Sequence, residues 1–164
     1  MNGTEVEVLL RTALAALLGY VIGAERQYVS NRPAGTSTFS LVSMSSALIA
    51  AFAYQSFDVA GASRVIANVL VGVGFLGGGM IVKDLVHIRG LTTAAGMWAM
   101  ASAGIVIGSG HYFLGVAISL LVLLLFSAEH LDPFIRARLA RWLPVASPDP
   151  EQSQGTDEPP TKER

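Results

Sequence analysis

Long apolar runs, separated by a few short clusters of charge, constrain this chain more than any other feature of its sequence. Between Arg11 and Glu129 the ionisable residues are confined to those clusters. The chain is 52% hydrophobic and 14% charged, with a mean hydropathy of +0.53, whereas soluble domains carry about 25% charged residues. Because about 20 consecutive apolar residues cross a bilayer as a helix, the pattern predicts an all-α, helical integral membrane protein.

Five segments are long and apolar enough to be membrane spans. They are residues 6–24, 39–57, 65–82, 91–107 and 112–128. Short connections join the second span to the third and the fourth to the fifth, so these pairs are predicted to be antiparallel neighbours. Residues 1–128 therefore form one predicted transmembrane domain.

The distribution of Lys and Arg predicts the orientation of the chain in the membrane. Positive residues concentrate on the cytoplasmic side of membrane proteins. Here they follow spans one, three and five, whereas the opposite loops hold Arg64 alone; the basic residues are Arg26, Arg32, Lys83, Arg89, Arg136, Arg138 and Arg141. The N-terminus is therefore predicted to lie outside and the C-terminus in the cytoplasm.

The sequence changes character twice after the fifth span. Residues 129–143 have apolar side chains on one helical face and arginines beside them, which is typical of an amphipathic helix lying in the membrane surface. The alternative is a soluble cap that packs under the helix bundle. Residues 144–164 are rich in Pro, Asp, Glu and Gln, and this composition predicts a disordered polar tail.

A glycine-rich string in span three permits two interpretations. Gly72-x-Gly74-x-x-Gly77 matches a dinucleotide fingerprint, but no strand precedes it and no acidic residue lies between Leu85 and Ala128. Glycines instead let helix backbones approach closely in membranes. We expect this packing role for Gly19, Gly23, Gly72, Gly74, Gly77, Gly78, Gly79, Gly104 and Gly108. The alternative is a broken helix in span three, as transporters use at their binding sites.

Polar residues near the cytoplasmic ends of the spans are candidates for function. Glu25 and Arg26 end span one, and Glu25 can pair with Arg32 or Arg89 or act as an ordinary interfacial anchor. Thr92 and Thr93 begin span four, where we expect their hydroxyls to cap orphan N–H groups. An anion at this helix N-terminus is the alternative.

Two polar residues lie nearer the outer side of the predicted spans. Arg11 follows Glu7 by about one helical turn and can pair with it, but we expect Arg11 to anchor at the membrane surface. Asn68 lies near the outer end of span three and is unsuited to facing lipid without a partner.

No set of residues indicates catalysis or a cofactor. The sequence has no cysteine, and His87, His111 and His130 all lie outside the spans without a second His at ligand spacing; the pair Asp84 and His87 is no more than chance predicts. We therefore expect no enzyme activity, no metal site and no nucleic-acid partner.

Several sequence blocks resemble the MgtC/SapB family of bacterial membrane proteins. These blocks are Gly23-Ala24-Glu25-Arg26-Gln27, Pro33-Ala34-Gly35, Val73-Gly74-Phe75-Leu76-Gly77-Gly78-Gly79, and Arg89-Gly90-Leu91-Thr92-Thr93-Ala94-Ala95-Gly96 with Trp98. The resemblance implies a multi-pass protein of the bacterial inner membrane, linked to growth in low magnesium and to survival of pathogens inside macrophages. It also implies a regulatory role, because the best-known member acts on the F-type ATP synthase rather than by carrying magnesium.

Two departures from the family pattern limit what the resemblance implies. Family members usually have Leu-Arg-Thr after the Ala-Gly pair, whereas Gly35 is followed here by Thr36-Ser37-Thr38. The best-known members also carry a C-terminal soluble regulatory domain, so we expect this chain to correspond to the membrane half alone.

The sequence therefore predicts a non-enzymatic regulator in the bacterial inner membrane. Its expected functional cluster, at the cytoplasmic face, consists of Glu25, Arg26, Arg32, Arg89, Thr92 and Thr93. Expected partners are the lipid bilayer, a second copy of the chain in a homodimer, and another membrane protein such as the F-type ATP synthase. The alternative function is a small ion or metabolite transporter, for Mg²⁺ or another species, that uses the glycine-rich third span.

Overall fold

A computed structural model describes residues 3–29, 34–83 and 88–128 as an all-α protein. The helices are α1 (Gly3–Ala24), α2 (Thr36–Ser56), α3 (Val59–Gly79), α4 (Leu91–Gly108) and α5 (Tyr112–Ala128), and a π-helical segment, Glu25–Val29, continues α1. Strands β1 (Val82–Lys83) and β2 (Ile88–Arg89) form a two-stranded antiparallel sheet between α3 and α4. The predicted surface helix at 129–143 and tail at 144–164 lie outside the described residues.

The lengths and compositions of the helices fit a membrane-spanning bundle. Helices α1 to α4 are each long and apolar enough to cross a membrane. Helix α5 has 17 residues, which is at the lower end of the range of about 17–25 that spans the hydrocarbon core. The predicted class, an all-α membrane protein, is therefore confirmed.

The start of α3 differs from its predicted position. The helix begins at Val59 rather than at residue 65, because Asp58 is its N-cap and its carboxylate accepts a hydrogen bond from the Gly61 N–H at 2.9 Å. The connection between α2 and α3 is correspondingly short. Arg64, which was predicted to lie in a loop, is therefore inside α3.

Helix α2 packs against α1 at two glycines. A Cβ atom at Gly19 would lie 2.6 Å from the carbonyl oxygen of Phe39, and one at Gly23 would lie 2.6 Å from that of Gly35. Real Cβ atoms essentially never approach another atom so closely. The backbones of α1 and α2 are therefore in direct contact along an antiparallel crossing.

Helix α4 contacts the same central helix in a parallel arrangement. A Cβ at Gly104 would overlap the carbonyl oxygen of Ser43, and one at Gly108 would overlap that of Ala47. Helix α2 is consequently enclosed by backbone contacts on two sides. Its buried residues are mostly small: Phe39, Ser43, Ser46, Ala47, Ala50, Ala51 and Ala53.

The glycines of α3 are placed differently from those of α1 and α4. Gly77 is buried in ordinary contact with Ala94, at 3.6 Å from the position of its missing Cβ. Gly72, Gly74, Gly78 and Gly79 have no atom within 4 Å of that position among the described residues. These four glycines therefore mediate no close packing within the described chain, contrary to our expectation for an individual subunit.

Helix α3 is also the most exposed of the four long helices. Of its most apolar stretch 11% is buried, against 56% in α4. An open groove of about 380 Å³ separates α3 from α2, and Gly72, Leu41 and Ile49 are among its lining residues. Because α3 runs as one continuous α-helix from Val59 to Gly79, the broken third span that was the alternative interpretation is not present.

We expect Gly104→Ala to lower the free energy of unfolding by about 1–3 kcal/mol, because the new methyl group would overlap the α2 backbone at Ser43. Gly72→Ala is the matched control, since it places the same methyl group in open space. It should leave stability unchanged or raise it by up to about 1 kcal/mol through the helix preference of alanine. Reversible unfolding in detergent measures both, and equal effects would contradict the proposed contact.

Candidate functional site

Arg26 is fully buried at the end of α1, in the first turn of the π-helical segment. Its guanidinium carbon lies 4.1 Å from the centroid of the Phe126 ring in α5. Its Nη2 donates a hydrogen bond to Oγ1 of Thr93 in α4 at 3.3 Å. A desolvated cation over an aromatic face gains about 2 kcal/mol or more. One side chain therefore joins three helices at a single point.

Phe126 is held in place under the guanidinium by two further contacts. Its ring meets the Phe39 ring of α2 edge to face, with centroids 6.2 Å apart and an interplanar angle of 87°. On another side the ring occupies the space above Gly96, where a Cβ would overlap Cζ. The missing side chain of Gly96 therefore makes room for the aromatic partner of Arg26.

The neighbours of Arg26 in the chain have separate roles. Glu25 is buried beside it. The Oε1 atom of Gln27 accepts hydrogen bonds from the backbone N–H of Thr36 at 3.1 Å and from the Thr36 hydroxyl at 3.2 Å. Since the N-cap residue of α2 is Gly35 and has no side chain, Gln27 satisfies one of the orphan N–H groups of that helix. The π-helical turn thus directs consecutive side chains to different helices, and such turns are frequent at functional sites.

The start of α4 depends on Gly90. This residue has φ +88°, in the left-handed region that favours glycine, and a Cβ here would also overlap the carbonyl oxygen of Met80. Gly90 is the N-cap of α4. The expectation that Thr92 and Thr93 cap this helix was wrong, because its N-cap has no side-chain hydrogen bond. The buried Thr93 hydroxyl accepts from Arg26 instead, and Thr92 is exposed.

The predicted polar cluster divides into a buried part and an exposed part. Glu25, Arg26 and Thr93 lie together beneath the surface. Arg89, at the end of β2, and Thr92 are exposed, and Arg89 forms no ion pair with any described residue. Arg32 lies outside the described residues.

A second polar cluster lies at the other end of α1. Arg11 forms an ion pair with Glu7, and its Nη1 donates to the carbonyl oxygen of Gly108 at 2.7 Å. Its Nε donates to the Tyr112 hydroxyl at 3.0 Å. The pairing with Glu7 that the sequence permits is therefore present, and Arg11 also joins α1 to α4 and α5. A guanidinium on the last carbonyl of α4 satisfies an orphan acceptor and is favoured by the negative end of the helix dipole.

Sequence reasoning did not find the partners of Arg26. Phe126 was not among the expected site residues, and neither were Gly96, which makes room for its ring, and Gln27, which caps α2; yet Phe126 is the one aromatic residue near the end of a Leu-rich span. An aromatic residue at the same membrane depth as an arginine was the available signal. Metal chemistry has no candidate here, since no group of three or more His, Cys, Asp or Glu occurs within the described part of the chain.

The fold and this site define an α-helical membrane protein with a buried arginine linking its first, fourth and fifth helices. The chain belongs to the MgtC family, whose family model matches residues 12–131. The family inferred from the sequence blocks is thereby confirmed.

Individual relatives give the extent of the similarity. A putative magnesium transporter of Escherichia coli, YhiD, is 41% identical over 132 residues, which are 76% of this chain and 61% of the relative. Protein SrpB of Synechococcus elongatus is 40% identical over 156 residues, covering 87% and 82% of the two chains. Protein MgtC of Salmonella typhimurium is 38% identical over 116 residues, covering 70% and 49%. The chain thus spans about half to two thirds of YhiD and MgtC, and no solved structure matches it.

We expect Phe126→Leu to lower the free energy of unfolding by about 2 kcal/mol more in the wild-type background than in an Arg26→Met background, because the cation–π contact needs both residues. Unfolding titrations of the four proteins in detergent give this coupling as a double-mutant cycle. Phe113→Leu, at a 90% exposed position of the same helix, is the control and should show none. A coupling below about 0.5 kcal/mol would show that Arg26 and Phe126 contribute independently to stability, which contradicts the cation–π contact.

Proposed function

We propose that this chain is a regulatory protein of the bacterial inner membrane that acts during magnesium limitation and on membrane energetics. Its similarity to protein MgtC and to a putative magnesium transporter supports the link to magnesium. The observation that carries the regulatory proposal is the enclosure of Arg26 by three helices. A buried cation that contacts three helices can hold the adjoining protein surface in one conformation. The proposal includes no catalytic step, no cofactor and no nucleic-acid partner.

The β1–β2 hairpin, which leads into α4, offers exposed side chains to a partner. We define this hairpin surface as Val82, Lys83, Ile88 and Arg89, all of them exposed. It combines cationic side chains with exposed apolar ones, such as Val82 at 62% exposure. This combination suits a partner with acidic and apolar groups near a membrane surface. With the N-terminus outside, as the Lys and Arg distribution predicts, the hairpin surface faces the cytoplasm.

The F-type ATP synthase is the partner we propose. A contact with that enzyme would connect the hairpin surface to membrane energetics, and regulation of this kind would also account for a role in virulence. Arg26 would act as a positioning residue, since it is fully buried and cannot reach a partner. Arg89 would make the contact itself.

We expect Arg89→Ala to impair growth in low magnesium while leaving the free energy of unfolding unchanged within about 0.5 kcal/mol, because Arg89 is exposed and has no described ion pair. Crosslinking pull-down from native membranes under magnesium starvation should recover ATP synthase subunits with the wild type and fewer with the variant. Arg64→Ala removes an exposed arginine from the opposite half of the molecule and is the charge-matched control. Normal growth of the Arg89 variant would reject the hairpin surface as the functional one.

A small ion transporter is the second candidate function, and the similarity to the putative magnesium transporter YhiD of E. coli favours it. The structural argument for transport was a break in the third span, and the continuity of α3 weakens that argument. Saturable Mg²⁺ uptake into proteoliposomes holding the purified chain would support transport. Absent uptake together with a retained pull-down partner would support regulation.

A further inference from the structure

One face of α3 is exposed along its whole central part. Asn68, Val71, Phe75 and Gly78 follow one another at intervals of three and four residues, and all four are exposed. By helix geometry they lie on the side opposite to the buried residues Ala62, Val73 and Gly77. We call these four residues the α3 stripe. Intervals that alternate between three and four residues are those at which two helices pack together in a left-handed supercoil.

Asn68 makes this face unsuited to lipid. It is the tenth of the 21 residues of α3, counting from Val59, and so lies near the middle of the membrane instead of near its outer end as predicted. Its side chain forms no hydrogen bond with any described residue and is exposed. The hydrocarbon core offers a carboxamide neither donor nor acceptor, so a polar side chain here favours a protein partner.

We propose that the α3 stripe binds the same stripe of a second copy of this chain across a two-fold axis normal to the membrane. A carboxamide carries two N–H donors and a carbonyl acceptor, so it is complementary to itself. Two parallel α3 helices related by the axis bring Asn68 against Asn68 of the second copy at equal depth. A single Asn at such a position also fixes the register and number of helices.

The rest of the stripe fits a helix–helix contact. Phe75 and Val71 are 83% and 72% exposed and supply large apolar surfaces. Gly78 has open space above its Cα, into which a facing residue can pack. Arg64 occupies the next position toward the start of α3 and is also exposed. Its long side chain can extend to the headgroups, so the contact ends there.

The absence of cysteine in the chain permits a direct test by single-cysteine crosslinking. In native membranes under mild oxidation, Val71→Cys and Phe75→Cys should each give a disulfide-linked dimer, because symmetric contact brings their Cβ atoms within disulfide range. Leu76→Cys on another exposed face of α3 and Leu124→Cys on α5, which are 50% and 65% exposed, are the controls and should remain monomeric. Equal crosslinking at all four positions indicates random collision and overturns the proposal.

A second experiment tests the role of Asn68 itself. In nanodiscs or detergent, Asn68→Leu should weaken dimerisation about 3- to 30-fold, the range expected for a hydrogen bond between membrane helices. Asn68→Gln keeps the carboxamide and should restore most of the association. Since the side chain is exposed and forms no hydrogen bond with a described residue, both variants should fold as the wild type does. An unchanged dimer in the Leu variant overturns the proposal.

The same experiments separate a second copy from other occupants of this face. A crosslinked product from Val71→Cys whose mass differs from twice that of the chain would assign the α3 stripe to another protein and overturn the proposal. If the chain is monomeric at every concentration, the α3 stripe faces lipid and the proposal is overturned. The proposal does not depend on the role in magnesium limitation, since dimerisation is measured on the purified chain.

Discussion

Direct backbone contact around α2 is the constraint on which the rest of this fold depends. Without a hydrophobic driving force between helices in lipid, close packing must supply the association energy. Gly19 and Gly23 of α1 and Gly104 and Gly108 of α4 meet the α2 carbonyls with no room for a side chain. The positions of both polar clusters follow from these crossings. Helix α1 can place an arginine against α4 at either end because α2 holds the two helices at a fixed distance.

The two arginines of α1 use this geometry in different ways. Arg11 satisfies the last carbonyl of α4 and pairs with Glu7 and Tyr112, so its charge is compensated by polar groups. Arg26 is fully enclosed and rests on an aromatic ring, with Thr93 as its described hydrogen-bond partner. A buried charge costs several kcal/mol in desolvation and is weak evidence for stability. Under the proposed function, Arg26 serves to position the start of α4, which it contacts at Thr93.

The sequence predicted the class of fold and four of the glycine contacts, but it could not distinguish between equivalent motifs. Gly19/Gly23, Gly74/Gly78 and Gly104/Gly108 share one spacing, yet the pair in α3 has open space in the described chain. Two glycines four residues apart show that another helix can approach the backbone there. Whether a helix does so is set by how the whole helices cross. The burial of Arg26 was hidden for a similar reason, since its partner Phe126 is 100 positions away. Asp58, by contrast, is a local sequence signal for the start of α3, and the predicted span did not take it into account.

The polar groups of α1 and of α3 differ in a way that bears on how the protein works. Arg11 and Arg26 of the first helix find partners on α4 and α5 within the described chain. Helix α3 packs through a few residues and leaves Asn68 exposed at mid-membrane. It continues into the β1–β2 hairpin, and Gly90 at the end of that hairpin fits against Met80 directly before α4. Helix α3, the hairpin and the start of α4, where Thr93 contacts Arg26, are therefore consecutive parts of one packed element.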